Sequence, residues 1–262
     1  MTLKLTIAQI PYLNCAPFYW DKNLRFPGHE IEWKWAAPSD LGILAREGLI
    51  DAGPVSLLNS PGLTSDFDLL PYGITARDQA RSVILFSKKP NSALHEETVG
   101  LTSQSATSAE LLKLMFKERF HLSPNFKTGF SEEDQARLLI GNEALFALLD
   151  PVTVKDFPHQ MDLGHEWKLW KGGSFVFARW MVRKSLPQEW KAGIEEWLSE
   201  NVRRFEEDAS AAIKTFEKAQ GWKLADAENY LSSFDFRVSE SDYLGSLTAF
   251  PWVSPPLAVT NG

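Results

Sequence analysis

Strand and helix signals alternate along the first eighty residues, and that alternation limits the chain to a layered α/β architecture. Leu3 to Ala8 reads as a strand by its alternation of polar and apolar residues. Asn14 to Trp20 begins like a short helix, with Asn14 as N-cap and Pro17 in the first turn. Ile31 to Trp35 alternates strictly, as a strand with one buried face does. Pro38-Ser39-Asp40 starts a helix carrying Leu41, Leu44 and Ala45 on one side, and Gly48 stops it. Short strands follow at Ile50 to Val55, Phe67 to Leu70 and Ser82 to Ser87. Repeated strand–helix–strand units imply a parallel sheet.

Lys88-Lys89-Pro90-Asn91-Ser92 connects this block to a second one. Thr98 to Thr102 reads as a strand, and Ser108 to Phe120 as a helix with Leu111, Leu112, Met115 and Phe116 inward. Phe126 to Phe130 is extended, and Gln135 to Leu149 combines helical signals with the apolar strand Leu138-Leu139-Ile140. After a turn at Gly172-Gly173, Phe175 to Val182 is a long apolar strand. The tail is helical, with Trp190, Ile194, Trp197, Val202, Phe205, Ala209, Ile213 and Phe216 on one face and a capping box of Ser185 and Gln188 at the start. Unbroken from Pro187 to Ala219 it would reach about 50 Å, longer than one lobe, so a break is expected near Ser199 to Val202. Short helices at Ala225 to Leu231 and Ser241 to Phe250 follow. The economical arrangement has two lobes. Residues 1–88 plus 175–262 form lobe one with the helical tail, and 89–174 form an inserted lobe two. A ligand cleft is expected between them, near the carboxyl ends of the strands.

A chain of 262 residues stands where one core gives way to two. Hydrophobic residues at 44% exclude disorder as the main state. No apolar run approaches the ~18 residues of a membrane span, and the N-terminus reads as a strand rather than a secretory signal. A cytoplasmic protein without membrane partners is therefore expected, as a monomer or homodimer. A net charge of −7, with no Lys/Arg cluster longer than two, argues against nucleic acid as a partner. The single cysteine, Cys15, excludes an internal disulfide framework and a cysteine-based zinc site. The five histidines are scattered with no metal-ligand spacing, so neither a metal nor another cofactor is expected. Any bound anion must be met by a local arrangement of donors.

Five loops follow strands and would face the cleft: Pro11 to Pro17, Gly53 to Ser56, Arg81-Ser82, Thr102 to Ser108, and Ile140 to Leu145. They are rich in hydroxyls and amides and poor in acids, bases and metal ligands, a composition suited to holding an oxyanion by hydrogen bonds. The candidate site residues are Asn14, Ser56, Ser82, Ser103, Ser105, Thr107, Ser108, Gly141 and Asn142. Each also has a structural reading. Asn14 can serve only as a helix cap, Thr107 and Glu110 can form a capping box, and Ser82 can be an ordinary strand serine. Cys15 reads as a small buried residue, and the ten tryptophans mostly as core, with Trp170 and Trp180 placed to line the cleft.

These loops resemble the chorismate dehydratase family of menaquinone biosynthesis (MqnA, of the futalosine pathway). The resemblance rests on Pro11 to Tyr19, Asp51 to Ser56, Ser82 to Ser87, Leu101 to Ser108, Leu139 to Leu145, Asp162 to Trp167 and Gly173 to Trp180, in family order, with Asp235-Phe236-Arg237 as a later landmark. It implies an α/β, two-lobed, periplasmic-binding-protein-like (type II) fold with the ligand in the interlobe cleft. The chain departs from the family pattern at Asn142, where an aspartate is common, and at Asn59, where an acid is common. Arg77 and Arg81 also stand where small or apolar residues are usual.

The resemblance further implies a hydro-lyase that removes water from chorismate and leaves 3-[(1-carboxyvinyl)oxy]benzoate. The ring becomes aromatic, so the protein need only position the substrate, exclude water and handle one proton. The matching loops hold no Asp, Glu or His at an obvious general-base position. The substrate's own enolpyruvyl carboxylate can take that role, held by Asn14 and Ser82, with the ring carboxylate on Ser103, Ser105, Thr107 and Ser108. Two alternatives stand beside this reading: a non-catalytic binder of aromatic or amino acids in the same fold, and the sister enzyme dihydroxynaphthoate synthase.

Overall fold

The computed structural model describes residues 3–26 and 29–253. Strand β1 (Leu3–Gln9) leads through a 3-10 turn at Leu13–Cys15 into one helical turn, α1 (Ala16–Tyr19). Next come β2 (His29–Trp35), α2 (Pro38–Arg46), β3 (Ala52–Ser56), β4 (Phe67–Ala76), β5 (Val83–Ser87) and β6 (Thr98–Leu101). They are followed by α3 (Ala106–Leu114), β7 (Asn125–Thr128), β8 (Ala136–Ile140), α4 (Gly141–Leu149), α5 (Pro151–Asp156), β9 (His159–Asp162) and α6 (Leu163–Lys171). The chain continues with β10 (Phe175–Arg183), α7 (Gln188–Glu207), α8 (Ser210–Gln220), α9 (Ala227–Leu231), β11 (Phe234–Arg237) and α10 (Glu240–Leu247). Two compact units form. Unit 1 takes the described residues of Met1–Thr75, Val176–Glu228 and Asp235–Gly262, and unit 2 takes Ala76–Phe175 and Asn229–Phe234.

Unit 1 is built on a six-stranded sheet in the order β11-β4-β10-β3-β1-β2. β1 is parallel to β2 and β3, whereas β10 runs antiparallel to β3. The sheet is therefore mixed, not parallel throughout, because β10 arrives from the other unit rather than through a local helical crossover. Central β1 buries Leu5 and Ile7 completely. β2 is an edge strand whose residues alternate between half-buried and exposed, so the fully buried face expected there does not form. The core is aromatic: Phe18 lies edge-on to Trp180 and Phe236 at 5.7 Å each, and Trp180, expected at a cleft wall, is fully buried.

Helix α7 runs unbroken through 199–202, where a break was expected. Asn201 does not end the helix. Its Nδ2 donates to the carbonyls of Phe18 and Asp21 at 2.9 Å each and ties α7 to the chain after α1. The break falls at Asp208, which leaves helical geometry at φ −152° and accepts the Ser210 N–H at 2.9 Å. No side chain caps the start of α7 at Pro187, so the Ser185–Gln188 box is not formed.

Unit 2 is built on a five-stranded sheet in the order β7-β6-β8-β5-β9. β6 is parallel to β7 and β8, and β5 is antiparallel to β8 and β9. β5 precedes the Lys88–Ser92 connector, in the stretch expected in lobe one, but it pairs inside this sheet, and unit 2 begins at Ala76 rather than 89. It also recruits residues 229–234. Arg77 donates to the carbonyls of Ser232 and Phe234 at 3.1 and 3.2 Å, and Arg81 reaches that of Asn229 at 3.4 Å. The arginines that depart from the family pattern thus clasp a distant segment. The core of this unit holds Val99, Leu138, Phe116 and Phe86.

Candidate functional site

Register gathers the unit 2 candidates at one end of its sheet. Leu101 at the end of β6 pairs with Leu138 of β8, so α3 and α4 both start at the carboxyl ends of neighbouring parallel strands. β5 runs the other way, and Val83 at its start pairs with Ile140 at the end of β8. Ser82, the Ser103–Ser108 loop and Gly141-Asn142 therefore share that end. Ser82 accepts the Gly141 N–H on its carbonyl at 2.7 Å, and Gly141 adopts φ +56°, a left-handed geometry that favours glycine.

The hydroxyls of this end are largely used by the protein. Ser105 is the N-cap of α3. Its Oγ accepts the Ser108 N–H at 3.1 Å and bonds the Ser108 hydroxyl at 3.0 Å. The Thr107–Glu110 box is not formed, because the helix starts two residues earlier than that pairing requires and Glu110 pairs with Lys113. Ser103 is exposed, and Thr107 and Ser108 are buried. Asn142, half-buried, opens α4 beside exposed Glu143, which accepts from Gln104 Nε2 at 2.8 Å. That carboxylate makes the start of α4 less suited to a second anion than the start of α3. Ser82 is fully buried, with its hydroxyl 2.8 Å from the Tyr230 hydroxyl and 3.3 Å from the Ala80 carbonyl.

Tyr230, Asp162 and Gly164 are the residues that sequence reasoning missed. Asp162 caps α6 and accepts the N–H groups of Ala80, Arg81 and His165 at 2.9, 2.6 and 3.0 Å, which fixes the turn preceding Ser82. Burial pushes its carboxyl up, against the lowering by these amides. Arg81 is held at φ +54° in that turn. Gly164 lets α6 come this near, since a Cβ there would stand 2.8 Å from the Ala80 nitrogen. The stretch Asp162-Leu163-Gly164-His165 carried the resemblance, but nothing in the sequence near Tyr230 marked it.

In unit 1, β1 and β3 are parallel, Asn14 follows β1, and Ser56 is the last residue of β3. Ser56 is buried and accepts Asn59 Nδ2 on its hydroxyl at 3.0 Å. Asn14 is 8% exposed, yet it caps nothing, because neither the 3-10 turn nor α1 has a side-chain cap. Its Oδ1 faces only the Cys15 thiol at 3.5 Å, and its amide NH2 has no partner among the described residues. A nearly buried amide with unused donors is costly unless something else binds it. Cys15 is buried, and burial pushes its thiol far up, so it is no nucleophile. No group of three His, Cys, Asp or Glu suited to a metal ion occurs among the described residues.

Solved structures define the class of fold. Protein AF1704 from Archaeoglobus fulgidus matches with a TM-score of 0.70 at 15% identity, over 95% of this chain and 96% of that one. The periplasmic aliphatic sulphonate binding protein SsuA from Escherichia coli matches at 0.65 and 16% identity, over 95% and 86%. The fold is periplasmic-binding-protein-like. Within that class, the family model for menaquinone biosynthesis matches residues 5–252, and the chain belongs to that family. It is also 31% identical to the chorismate dehydratase of Thermus thermophilus, over 91% of each chain. No helix among the described residues is long and apolar enough to cross a membrane.

Proposed function

We propose that the protein is a carbon–oxygen lyase that dehydrates chorismate to 3-[(1-carboxyvinyl)oxy]benzoate, in the cytoplasm, on the futalosine route of menaquinone biosynthesis. Family membership and the Thermus relative support the reaction class. The observation that carries the site is Asn14, a residue only 8% exposed whose side-chain NH2 donates to no described group, in a loop inside the family match.

The reaction breaks the C–H bond at the ether-bearing ring carbon and the C–O bond of the neighbouring hydroxyl. The C–H electron pair becomes the last ring double bond, and the hydroxyl leaves as water with the abstracted proton. Asn14 orients the enolpyruvyl carboxylate by its neutral NH2, so that this carboxylate takes the proton. The α3 start, with Ser103, Ser105, Thr107 and Ser108, receives the ring carboxylate on its N–H groups. Ser56 and Gly141-Asn142 complete the polar lining. Ser82 takes part when its hydroxyl exchanges Tyr230 for the ligand.

Purified protein incubated with chorismate should release the aromatic enol ether, detected by mass and by aromatic absorbance. Chorismate recovered unchanged after saturable binding would replace this reading with a binding protein, the role named for the SsuA neighbour.

A further inference from the structure

A second polar group in unit 1 is nearly buried with unused donors, and it lies in a cavity that Asn14 does not line. The cavity has a volume of about 320 Å3 and opens beside the ends of β1 and β2, with α8 along one wall. Tyr19, Trp20, Trp35 and Phe216 supply aromatic surface. Among the described residues none of the lining is acidic, and Lys22 is its only charged group.

Lys22 has no carboxylate within ion-pair distance among the described residues. Its Nζ instead donates to Gln9 Oε1 at 2.7 Å and stands 4.9 and 5.4 Å from the ring centres of Trp33 and Trp35. Burial pulls its pKa down, the mark of an ammonium short of water and counter-ion. Gln9 is 6% exposed, and the lysine fixes which end of its amide is oxygen. The Gln9 Nε2 donors then have no partner among the described residues. Trp35 is half exposed at the rim, an indole face open to cover.

An ammonium and an amide NH2, both without an anionic partner and set in an aromatic wall, specify a ligand that is flat, apolar and negatively charged at one end. We propose that this cavity is a separate binding site for an aromatic monocarboxylate, with its carboxylate on Lys22 Nζ and Gln9 Nε2 and its ring against Trp35 and Phe216. The site stands independently of the proposed dehydration.

The test uses 2-naphthoate and its neutral isostere 2-naphthamide, titrated into the purified protein by calorimetry and by tryptophan fluorescence. Naphthoate should bind saturably and the amide at least ~10-fold more weakly, the scale of one charged hydrogen bond. Lys22→Met, which keeps the stem, should weaken naphthoate by the same factor, whereas Lys22→Arg should bind within a few-fold of the parent. Melting curves establish that each variant is folded. Equal binding of acid and amide, full affinity in Lys22→Met, or no binding of naphthoate would each overturn the proposal. Pro11, Tyr12 and Ala16 of the Asn14 loop also line the cavity, so loss of binding in Asn14→Ala would put the ligand on the Asn14 side chain itself and overturn the proposal too.

Discussion

The hydroxyls of Ser82 and Tyr230 lie 2.8 Å apart in the core of unit 2, joining residues 148 positions apart in the chain. Tyr230 is 3% exposed, and its ring packs edge-on to Phe234 at 5.4 Å, so the ring would stay in place without the hydroxyl. Ser82→Ala takes the serine partner from a buried tyrosine hydroxyl, and it should cost about 1–3 kcal/mol in urea unfolding. Tyr230→Phe in the Ser82→Ala background removes the hydroxyl that lost that partner and should restore part of that loss. A double variant no more stable than Ser82→Ala would mean that the two hydroxyls are not coupled.

Gly164 sets how near α6 comes to the turn before Ser82. In Gly164→Ala the new methyl would meet the Asp78 carbonyl and lie 2.8 Å from the Ala80 nitrogen, both backbone atoms. The turn must then move off Asp162 and give up its amide hydrogen bonds. A loss of about 2 kcal/mol, the ordinary cost of overpacking, is expected from denaturant midpoints. An unchanged midpoint would contradict the close approach.

His165 Nδ1 stands 2.6 Å from Asp78 Oδ1, and that hydrogen bond raises the histidine pKa above its usual value, with weak burial opposing. The folded value exceeds the unfolded one of about 6.5, so the pair stabilises fully below about pH 6.5 and its contribution is lost as pH rises through the folded value. Both side chains are largely exposed, so the effect is small. By NMR the His165 midpoint should lie above that of a free histidine and return toward it in Asp78→Asn. The melting difference between the two proteins should be present near about pH 6 and absent near about pH 9. Identical His165 titration in both would remove the interaction.

What was legible in the sequence was local. Periodicity located β1, α2, β6 and the face of α7 to within a few residues, since burial repeats at fixed steps there. What was not legible depended on pairing at long range. β5 reads the same whichever sheet receives it, and only its register with β8 and β9 places it in unit 2. The break expected near Ser199 to Val202 rests on helix length alone, and the contacts of Asn201 with the carbonyls of residues 18 and 21 have no local signal. β9 is four residues long, half of them polar and exposed, too little for a strand signal. Among the site residues, Asn14 was singled out by its loop, but that it caps nothing follows only from the geometry around it.

That geometry makes Asn14→Asp the most informative substitution. The side chain makes no cap, and its Oδ1 has only the Cys15 thiol at 3.5 Å, so the folded state loses no strong contact. The thermal midpoint should fall only by the cost of a nearly buried carboxylate, and the melting curve shows that the variant is folded. The effect on substrate is opposite in sign. A neutral NH2 that donates to the enolpyruvyl carboxylate becomes a carboxylate facing another, and the repulsion grows as water leaves the site. Turnover of chorismate should fall at least ~100-fold, the scale lost with one oriented polar contact in an active site. Asn14→Ala, which removes the donor without adding charge, should fall less far. Near-normal turnover in a folded Asn14→Asp protein would take Asn14 out of the site and leave the α3 start and Ser82 as the groups to test.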